Sequence, residues 1–579
     1  MSLKSKLSEA FKIWNRSGVA GIRARIAWNK KKSRERAAYA RWLKVHGSPT
    51  GDDRAEMRRR IAGFSKLPLI SVVLPVYNVD EKWLRLCLDS VLDQIYENWE
   101  LCIADDCSPK PHIRRVLDEY AAGDARVKVV YRPENGHISA ASNSALEIAA
   151  GEFVVLLDHD DELSPDALFW VANELNDFPG TAMIYSDEDM IDTRGRRSEP
   201  KFKPDFSRDL LYSLNLVTHL SAYKTDLIRS IRGFRLGFEG SQDYDLALRI
   251  VERIDEHQIR HIPRVLYHWR AIAGSVALSS DEKPYAHERA RSAIREHLER
   301  GGISASVGAT HYNLHRVKYE MPGPAPAVSI VVVVDGHMEN ADQLVANTRF
   351  KPIEVVLVNP KTKTVGAATN ENLKTLACRD MSRAARLNLA VRESTGEIIV
   401  FLGGGVVPLT EDWLDELVRF AARTEIGAVG GRILSADETV IDGGLVLGAG
   451  TGVAVAHYGF PWNIVGNMGR NQFIGNFSAV SETCMAVKRV DFERAGGFDE
   501  TNLPNDLFAA DFCLKLGQFG LRIVFTPYAE LIRKKMLPAA DPTEAEFKYF
   551  EKRWLRHFVH DPFYNPNLSK RDGTFSIKV

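Results

Sequence analysis

The sequence predicts an α/β protein made of two tandem copies of one open, mostly parallel sheet, preceded by a basic helical arm. Two observations carry this prediction. Apolar, β-branched runs alternate with segments of helical periodicity, and a set of motifs recurs along the chain at a constant interval. Alternating strands and helices are typical of a doubly wound, Rossmann-like sheet whose strands are buried on both faces.

The first copy opens with a strand, a helix and a second strand. Residues 68–75 form an apolar run bounded by prolines, as expected for a buried parallel strand. Residues 81–94 follow with apolar side chains at helical spacing, and residues 99–104 form the next apolar run, which ends at Asp105 and Asp106. We expect these carboxylates at the carboxyl end of the strand, where open α/β sheets bind their ligands.

A second copy begins after residue 326 with another β-branched run. Three positions of the first copy recur 245 residues later: Asn143, Gly151 and Asp158 correspond to Asn388, Gly396 and Gly403. The short segment between the copies is rich in proline and glycine and is suited to a linker. The predicted segments are a basic helical arm (1–66), a first α/β domain (67–321), a linker (322–326), a second α/β domain (327–540) and a helical or extended tail (541–579).

The N-terminal arm concentrates positive charge. The chain of 579 residues has no net charge, yet residues 1–44 carry thirteen Lys or Arg against two Glu. Apolar residues such as Trp14 and Trp28 are interleaved with these cations, a mixture typical of a helix on an anionic membrane surface. A solvated helix is the alternative. No aromatic-basic RNA module follows the arm, so nucleic acid is not an expected partner.

Several absences point to the cytoplasm. No apolar run approaches the ~20 residues that span a bilayer, and the N-terminus lacks the apolar segment of a secretory signal. The six cysteines show no metal-binding spacing and are expected to be reduced thiols. The sequence therefore predicts a cytoplasmic protein that is peripheral at the inner face of the cell membrane.

Acidic groups in the first copy follow predicted strands or open a predicted helix, and a histidine follows a short apolar run. These residues are Asp105, Asp106, Asp158, Asp160, Asp243 and His268. Two carboxylates one residue apart on a turn can face one hard cation, and histidine is a common further ligand of Mn²⁺. A separate carboxylate can act as a general base. Each group alone is also typical of turns and helix caps, but their combination indicates a metal–diphosphate site.

These motifs resemble those of family 2 glycosyltransferases. The resemblance lies in residues 74–78 (Leu-Pro-Val-Tyr-Asn), 104–108 (Ala-Asp-Asp-Cys-Ser), 135–139 (Asn-Gly-His-Ile-Ser), 157–163 (Leu-Asp-His-Asp-Asp-Glu-Leu) and 242–245 (Gln-Asp-Tyr-Asp). Residues 561–568 resemble the end of tandem-domain members linked to bacterial surface polysaccharide, notably O-antigen. The resemblance covers roughly residues 68–570 and implies two GT-A domains.

The resemblance also implies an activity: inverting, metal-dependent transfer of a sugar from a nucleotide-sugar to a glycan acceptor. In such pathways the acceptor is linked to a lipid. The residues implied around the nucleoside are Pro75, Tyr77, Asp105 and Asp106. Asp158 and Asp160 are implied to hold the diphosphate and Mn²⁺ or Mg²⁺, with His268 as the third metal ligand. Asp243 is the implied base. Homo-oligomers or other glycosyltransferases are candidate partners.

The second copy has lost these groups. Aligning the repeats places the glycines 403–405 opposite residues 158–160, and Ala509 opposite Asp243. Glycine offers no ligand to a cation and alanine accepts no proton, so we expect a second domain without metal-dependent transfer. An aromatic-rich stretch at 457–477 fits either a glycan- or partner-binding loop or a packed insertion.

Two other interpretations remain open from the sequence. Arg533 aligns at or beside His268, and with Lys534 and Lys535 it could neutralise a diphosphate without metal. The chain would then be a bifunctional polymerase with two active domains. A non-catalytic nucleotide-sugar or glycan-binding protein is the third possibility, although the intact acidic groups of the first copy argue against it.

Overall fold

The computed structural model describes residue 26 and residues 29–272, 284–333, 341–359, 373–378, 380–534 and 541–579. Residues 1–25, 27 and 28 of the basic arm, with Trp14 and Trp28, lie outside the described residues, as does Lys535. The chain forms two compact units. The first unit comprises Arg36–Phe206 and Leu214–Val317, with Val579, and the second comprises Met1–Glu35, Ser207–Ser213 and Lys318–Lys578.

Helices and strands alternate along the part of the chain up to residue 319. In order they are α1 (29–46), α2 (Gly51–Ala62), β1 (Ile70–Val76), α3 (Glu81–Leu92), β2 (Trp99–Asp105), α4 (Pro111–Gly123), β3 (Val127–Tyr131), α5 (His137–Glu147), β4 (Phe153–Leu156), β5 (Glu162–Leu163), α6 (Ala167–Asp177), β6 (Met183–Ile191), β7 (Arg197–Lys201), α7 (Arg208–Leu211), β8 (Ser221–Lys224), α8 (Thr225–Ser230), α9 (Gln242–Val251), β9 (Ile259–Arg270), α10 (Pro284–Arg300), β10 (Ala305–Ala309) and β11 (His315–Tyr319).

The same alternation continues in the rest of the chain. The elements are β12 (Val328–Val333), α11 (Ala341–Ala346), β13 (Ile353–Asn359), β14 (Leu373–Ala377), α12 (Arg383–Arg392), β15 (Ile398–Leu402), β16 (Val406–Pro408), α13 (Trp413–Ala421), β17 (Ile426–Ser435), β18 (Val440–Asp442), β19 (Gly444–Ala449), β20 (Gly452–Val455), β21 (Gly475–Asn476), β22 (Ala479–Val480), β23 (Cys484–Lys488), α14 (Arg489–Arg494), α15 (Phe508–Gln518), β24 (Arg522–Arg533), α16 (Glu544–Arg553) and α17 (Leu555–Val559).

The first sheet has the order β3-β2-β1-β4-β8-β6-β9-β5, with β7 beside β6. β3, β2, β1 and β4 run parallel, and β8 then pairs antiparallel with both β4 and β6. Every residue of β1 and β2 is buried, as expected for strands covered by helices on both faces. α3 packs an apolar stripe that includes Leu84, Leu88 and Val91 into this core.

The second sheet repeats this strand order and adds β21 beside β24. Its order is β14-β13-β12-β15-β23-β17-β24-β16, with β18 beside β17. Strand directions also agree: β23 pairs antiparallel with β15 and β17, and β24 pairs parallel with β17. The predicted fold class, two tandem α/β copies of one fold, is confirmed.

Buried polar contacts are duplicated as well. In the first unit the Ser71 hydroxyl donates to Glu100 and accepts from the backbone N–H of Gly151. In the second unit Ser329 makes the same two bonds, to Glu354 and from Gly396. Such matching of interior detail indicates that the two units share one fold rather than a general α/β layout.

The second unit contains an additional small sheet in the order β20-β19-β22. Its strands flank the aromatic-rich stretch predicted at 457–477, in which His457, Phe460, Phe473 and Phe477 are all buried. The backbone N–H of Leu447 donates to Asp561, a residue of the C-terminal tail. These aromatic side chains are therefore packed in the interior of the second unit.

The described part of the N-terminal arm includes a packed helix. Tyr39 and Trp42 of α1 are buried, and both rings contact Phe202. The Tyr39 hydroxyl donates to Asp189 at 2.5 Å. None of the described helices is both long and apolar enough to cross a membrane.

Candidate active site

The carboxyl ends of β1, β2 and β4 lie side by side at one edge of the first sheet. The parallel register pairs Pro75 with Ala104, next to Asp105 at the end of β2. β4 pairs with the other side of β1, and Asp158 comes two residues after β4. The residues predicted around a nucleoside and those predicted to hold a metal ion thus share one edge, as expected for an α/β binding site.

Asp105 and Asp106 are buried and organise the loops at this edge. Asp106 Oδ1 accepts a hydrogen bond from Arg132 Nε at 2.8 Å and another from the backbone N–H of Gly136 at 2.9 Å. Tyr77, just after β1, is by contrast 44% exposed. Of the side chains predicted around the nucleoside, the Tyr77 ring is therefore the one most open to a ligand.

The turn after β4 presents one carboxylate outwards and buries another. Asp161 is buried, and its Oδ2 accepts from the Tyr267 hydroxyl at 2.6 Å while Oδ1 accepts from a backbone N–H of β9 at 2.7 Å. His159 Nδ1 lies 3.1 Å from the carbonyl oxygen of Pro75 and ties the turn to β1. The Asp158 side chain remains 43% exposed. Asp161 therefore fixes the turn, and Asp158 faces outwards.

His219, which sequence reasoning missed, lies beside Asp158. Its Nε2 is 3.8 Å from Asp158 Oδ2, and its Nδ1 is 3.2 Å from Glu188 Oε2. The ring stacks on Tyr267, with 4.5 Å between centroids. A carboxylate beside one nitrogen orients an imidazole and leaves the other nitrogen available as a ligand. Within the described ranges, ligand atoms of Asp158, Asp161 and His219 all lie within 4.8 Å of one another.

The structure does not bring the predicted third ligand, His268, into this group. His268 lies between two aromatic residues of β9 whose rings both face His219. Because successive side chains of a strand point to opposite faces, His268 points the other way. Its Nδ1 accordingly lies 2.7 Å from Asp189 Oδ1. The histidine beside Asp158 is His219 rather than His268.

A charge cluster centred on the buried Glu188 lies next to His219 Nδ1. Lys201 Nζ is 2.5 Å from the Glu188 carboxylate, and Lys203 Nζ is 3.5 Å from it. Burial alone would raise the pKa of Glu188, but these two lysines and His219 hold that pKa well below its usual range. Glu188 therefore stays ionised and supplies a fixed negative charge next to His219 Nδ1.

Negative charge is concentrated at the Asp158 turn. Burial raises the pKa of Asp160, and the neighbouring Asp158 carboxylate raises it further, against an opposing effect of His159. Burial also raises the pKa of Asp161 well above its usual range, with Asp160 and Asp158 adding to the shift. Crowded carboxylates with an imidazole are a donor set that suits Mn²⁺, and carboxylates alone suit Mg²⁺. The side chains of this turn therefore fit a divalent cation.

Asp243 lies in the first turn of α9. Asn215 Nδ2 donates to Asp243 Oδ2 at 2.8 Å. Burial raises the pKa of Asp243, His219 lowers it, and Asp158 raises it. Asp243 therefore shares one electrostatic neighbourhood with His219 and Asp158. A carboxylate with a raised pKa is a stronger base, which suits removal of a proton from a hydroxyl.

The corresponding edge of the second sheet carries different side chains. Gly403 follows β15 where Asp158 follows β4, and the pairing of β23 with β15 aligns Thr483 with His219. A Cβ added to Gly403 would collide with the Arg533 guanidinium and would lie 2.7 Å from Thr483 Cγ2. The cationic end of Arg533 thus occupies the position that corresponds to the Asp158 side chain.

Known proteins identify the family of the chain. The sequence profile described as Glycosyl transferase family 2 matches residues 71–232. WcaA of Escherichia coli (strain K12), named a colanic acid biosynthesis glycosyl transferase, is 30% identical over 201 residues, which cover 33% of this chain and 68% of WcaA. The chain belongs to glycosyl transferase family 2.

Two longer relatives match most of the chain. The uncharacterised protein y4gI of Sinorhizobium fredii (strain NBRC 101917 / NGR234) is 39% identical over 88% of this chain and 58% of its own length. The O-antigen biosynthesis protein RfbC of Myxococcus xanthus is 34% identical over 88% of this chain and 41% of its own length. The chain thus spans about half the length of these relatives.

The stretch that matches family 2 contains most of the site. It begins in β1 and includes Asp158, Glu188 and His219, but it ends before Asp243. Sequence reasoning missed Glu188, His219 and Asn215 because none belongs to a local motif. The available signal for His219 was its position just before an apolar run, but the antiparallel pairing of that run with β4 is a tertiary feature.

Proposed function

We propose that this family 2 protein is an inverting, metal-dependent glycosyltransferase with one active site, in the first unit. The observation that carries the proposal is the convergence of Asp158, His219 and Asp243 at the carboxyl edge of the first sheet. A single-displacement transfer needs a base for the acceptor and stabilisation of the leaving group. This group of side chains offers both.

Asp243 is the proposed base. It accepts the proton of an acceptor hydroxyl while that oxygen forms a bond to the anomeric carbon of the donor sugar. The bond from that carbon to the diphosphate breaks on the opposite face, and a nucleoside diphosphate leaves. Asn215 Nδ2, which donates to Asp243 Oδ2, keeps the carboxylate oriented during this step.

The proposed cation is Mn²⁺ or Mg²⁺, held by Asp158, Asp160 and His219. When bound, it would neutralise the charge that develops on the departing diphosphate. Glu188 would orient His219 through Nδ1, 3.2 Å away, as carboxylates commonly do for histidine ligands. His268, the ligand expected from the family resemblance, faces Asp189 instead.

The nucleoside of the donor is proposed to lie at the carboxyl ends of β1 and β2. Tyr77 offers an exposed ring against which a base can stack. Pro75 and the buried carboxylates of Asp105 and Asp106 shape the floor of this region through the loops that they hold. Their proposed role is to border the nucleoside.

The acceptor is proposed to be a glycan in bacterial surface-polysaccharide synthesis. The names of RfbC, an O-antigen biosynthesis protein, and of WcaA support this class. A lipid-linked acceptor would place the protein at the inner face of the cell membrane. The basic arm supports this location, because α1 exposes the following cations: Lys30, Lys32, Arg34, Arg36, Arg41 and Lys44. Homo-oligomers or other glycosyltransferases of the pathway remain the proposed protein partners.

The second unit is proposed not to transfer sugar. Arg533 lies where the first unit has Asp158, and a like charge at that position would repel a divalent cation. Ala509 corresponds to Asp243 and cannot accept a proton. The bifunctional alternative would require another base, either Asp511 or the half-buried Asp442, whose pKa is raised by burial.

Thermal unfolding with a panel of nucleotide-sugars tests the proposal. UDP-, GDP- and dTDP-sugars are each added with Mn²⁺, and the true donor should raise the melting temperature by several degrees, because a ligand at about one hundred times its Kd stabilises by ~2.7 kcal/mol. The same donor should give Mn²⁺-dependent release of nucleoside diphosphate. Asp158→Asn should reduce both effects, and Asp442→Asn should leave both unchanged.

Two results would count against the proposal. If no nucleotide-sugar shifts unfolding or is hydrolysed with either cation, the protein is not a nucleotide-sugar transferase. If EDTA leaves the shift and the release intact, transfer is independent of metal and the roles of Asp158 and Asp160 are wrong.

A further inference from the structure

A short piece of chain between β7 and β8 of the first sheet folds as part of the second unit. This piece, Ser207–Ser213, contains α7. Within the second unit it is held by Asn476 of β21. The Ser207 hydroxyl and the backbone N–H of Asp209 both donate to Asn476 Oδ1, at 2.9 and 3.1 Å, and the backbone N–H of Asn476 donates back to Ser207 Oγ at 3.1 Å.

Asp209 is the charged member of this anchor. It is buried, and its Oδ2 accepts from Asn476 Nδ2 at 2.7 Å and from Arg522 Nε at 3.0 Å. At the other end of the piece, the Ser213 hydroxyl donates to the carbonyl oxygen of Ile474 at 3.1 Å. A buried, paired carboxylate of this kind is costly to disturb, so the position of the segment is well determined.

The chain that follows the anchor carries two residues of the candidate active site. Asn215, two residues after Ser213, donates to Asp243. His219, six residues after Ser213, lies beside Asp158. The stretch between them is tied to itself by the Thr218 hydroxyl, which donates to the carbonyl oxygen of Asn215 at 3.0 Å. This stretch ends at β8, and the pairing of β8 with β4 fixes its C-terminal end.

We propose that Asp209 is a positioning residue: its contacts with Asn476 and Arg522 hold one end of the chain that places Asn215 against the proposed base and His219 beside Asp158. The proposal rests on the function proposed above. The anchor takes no part in the chemistry: it fixes one end of the chain that completes the site. Small displacements of catalytic groups lower rates strongly, by as much as ~10²-fold for about 1 Å.

The anchor should also influence the ionisation of Asp243. The groups that face Asp243 are Asn215, the charges of His219 and Asp158, and the Tyr223 hydroxyl of β8, while its own helix α9 begins one residue before it. The amide of Asn215 donates to the ionised form and therefore favours it. If Asn215 moves away, the pKa of Asp243 rises, and the acidic limb of the rate profile moves to higher pH.

The experiment compares three substitutions in the full chain. Asp209→Asn weakens the anchor, Asn215→Ala removes the contact to Asp243 directly, and Asp561→Asn is the matched control. Asp561 is also a buried acid of the second unit; it accepts from Leu447 and Ser478 and lies outside the anchor. The measurements are kcat against pH, the melting temperature, and hydrogen–deuterium exchange of peptides that cover residues 214–220.

Asp209→Asn should lower kcat on the order of tenfold, move the acidic limb in the same direction as Asn215→Ala, and accelerate exchange in 214–220. Asp561→Asn should lower the melting temperature without either effect. Asn476→Ala removes the partner of Asp209 in the same anchor. It replaces Asp209→Asn in the comparison if that variant does not fold.

The proposal is overturned if both anchor variants behave like Asp561→Asn, or if exchange in 214–220 is unchanged in them. A wild-type chain without transferase activity would contradict the proposed function. The exchange comparison would still decide whether the anchor holds the 214–220 chain.

Discussion

The carboxyl edges of the two sheets have the same strand order but carry different side chains. The first edge carries acidic groups, and the second has lost them. Eight strands of each sheet follow one shared order with matching directions, so the pairing register aligns the two sheets residue by residue. Seven polar residues of the first edge, Asp158, Asp160, Asp161, Glu188, His219, Asp243 and Tyr267, correspond to Gly403, Gly405, Val406, Ile433, Thr483, Ala509 and Leu531.

This difference shows that the fold and the chemistry depend on separate residues. The strands of both sheets remain apolar and buried, and interior contacts such as those of Ser71 and Ser329 persist. Each replacement at the second edge removes a proposed ligand, the proposed base or a residue that orients one of them. Arg533 aligns with Trp269, next to the position of His268, and carries a charge of the sign opposite to that of Asp158.

The largest expected effect separates the two edges directly. Asp243→Asn should lower kcat by about 10²–10⁴-fold, because the amide cannot accept the acceptor proton. Asp442→Asn, which alters a half-buried acid of the second unit bonded to Ser481 at 2.5 Å, should leave kcat within about twofold. The measurement is incorporation of labelled sugar into acceptor, with nucleoside diphosphate release as a second readout.

The opposite result in these two variants would contradict the assignment of activity to the first edge. Loss of transfer in Asp442→Asn with activity retained in Asp243→Asn would move the active site to the second unit. If each variant abolished transfer of a different sugar, the chain would be a bifunctional polymerase.

A smaller effect distinguishes the two histidines. His219→Ala should weaken Mn²⁺ binding by about tenfold or more in the presence of nucleoside diphosphate, because its Nε2 faces Asp158. His268→Ala should weaken it less, because His268 is paired with Asp189 on the opposite face of β9. Mn²⁺ binding is followed by electron paramagnetic resonance of the free ion. A larger loss in His268→Ala would instead support the ligand expected from the family resemblance.

The sequence predicted the features that depend on local pattern. Apolar runs predicted the strands, and the interval of 245 residues predicted the repeat, because both are properties of neighbouring residues. Asp158 and Asp243 were found because each lies at the end or the beginning of a recognisable element. The loss of the corresponding groups at Gly403 and Ala509 followed from the same alignment.

The sequence could not predict what depends on pairing between distant strands. His219 reaches Asp158 because β8 runs antiparallel to β4, with Val155 opposite Ala222. The place of His268 after an apolar run and the family resemblance predict it as the third ligand, but the two-residue alternation of β9 points it to the other face. Likewise, no local signal at Asp209 indicates that its partners are Asn476 and Arg522, more than 260 residues away.

The smallest expected effect concerns the space that Arg533 fills in the second unit. Gly403→Ala would place a Cβ against the Arg533 guanidinium and 2.7 Å from Thr483 Cγ2. The guanidinium can move but the threonine methyl is buried, so we expect a loss of about 1–3 kcal/mol in the free energy of unfolding and no change in transfer.

A double-mutant cycle tests whether Arg533 is the cause. In an Arg533→Ala background the same glycine substitution should cost less, since only the contact with Thr483 remains, and the difference between the two costs measures the coupling. Denaturant unfolding of the four proteins supplies the values. Equal costs in both backgrounds would mean that the guanidinium does not occupy this position. The second edge would then have lost the acidic site of the first without gaining a positive charge in its place.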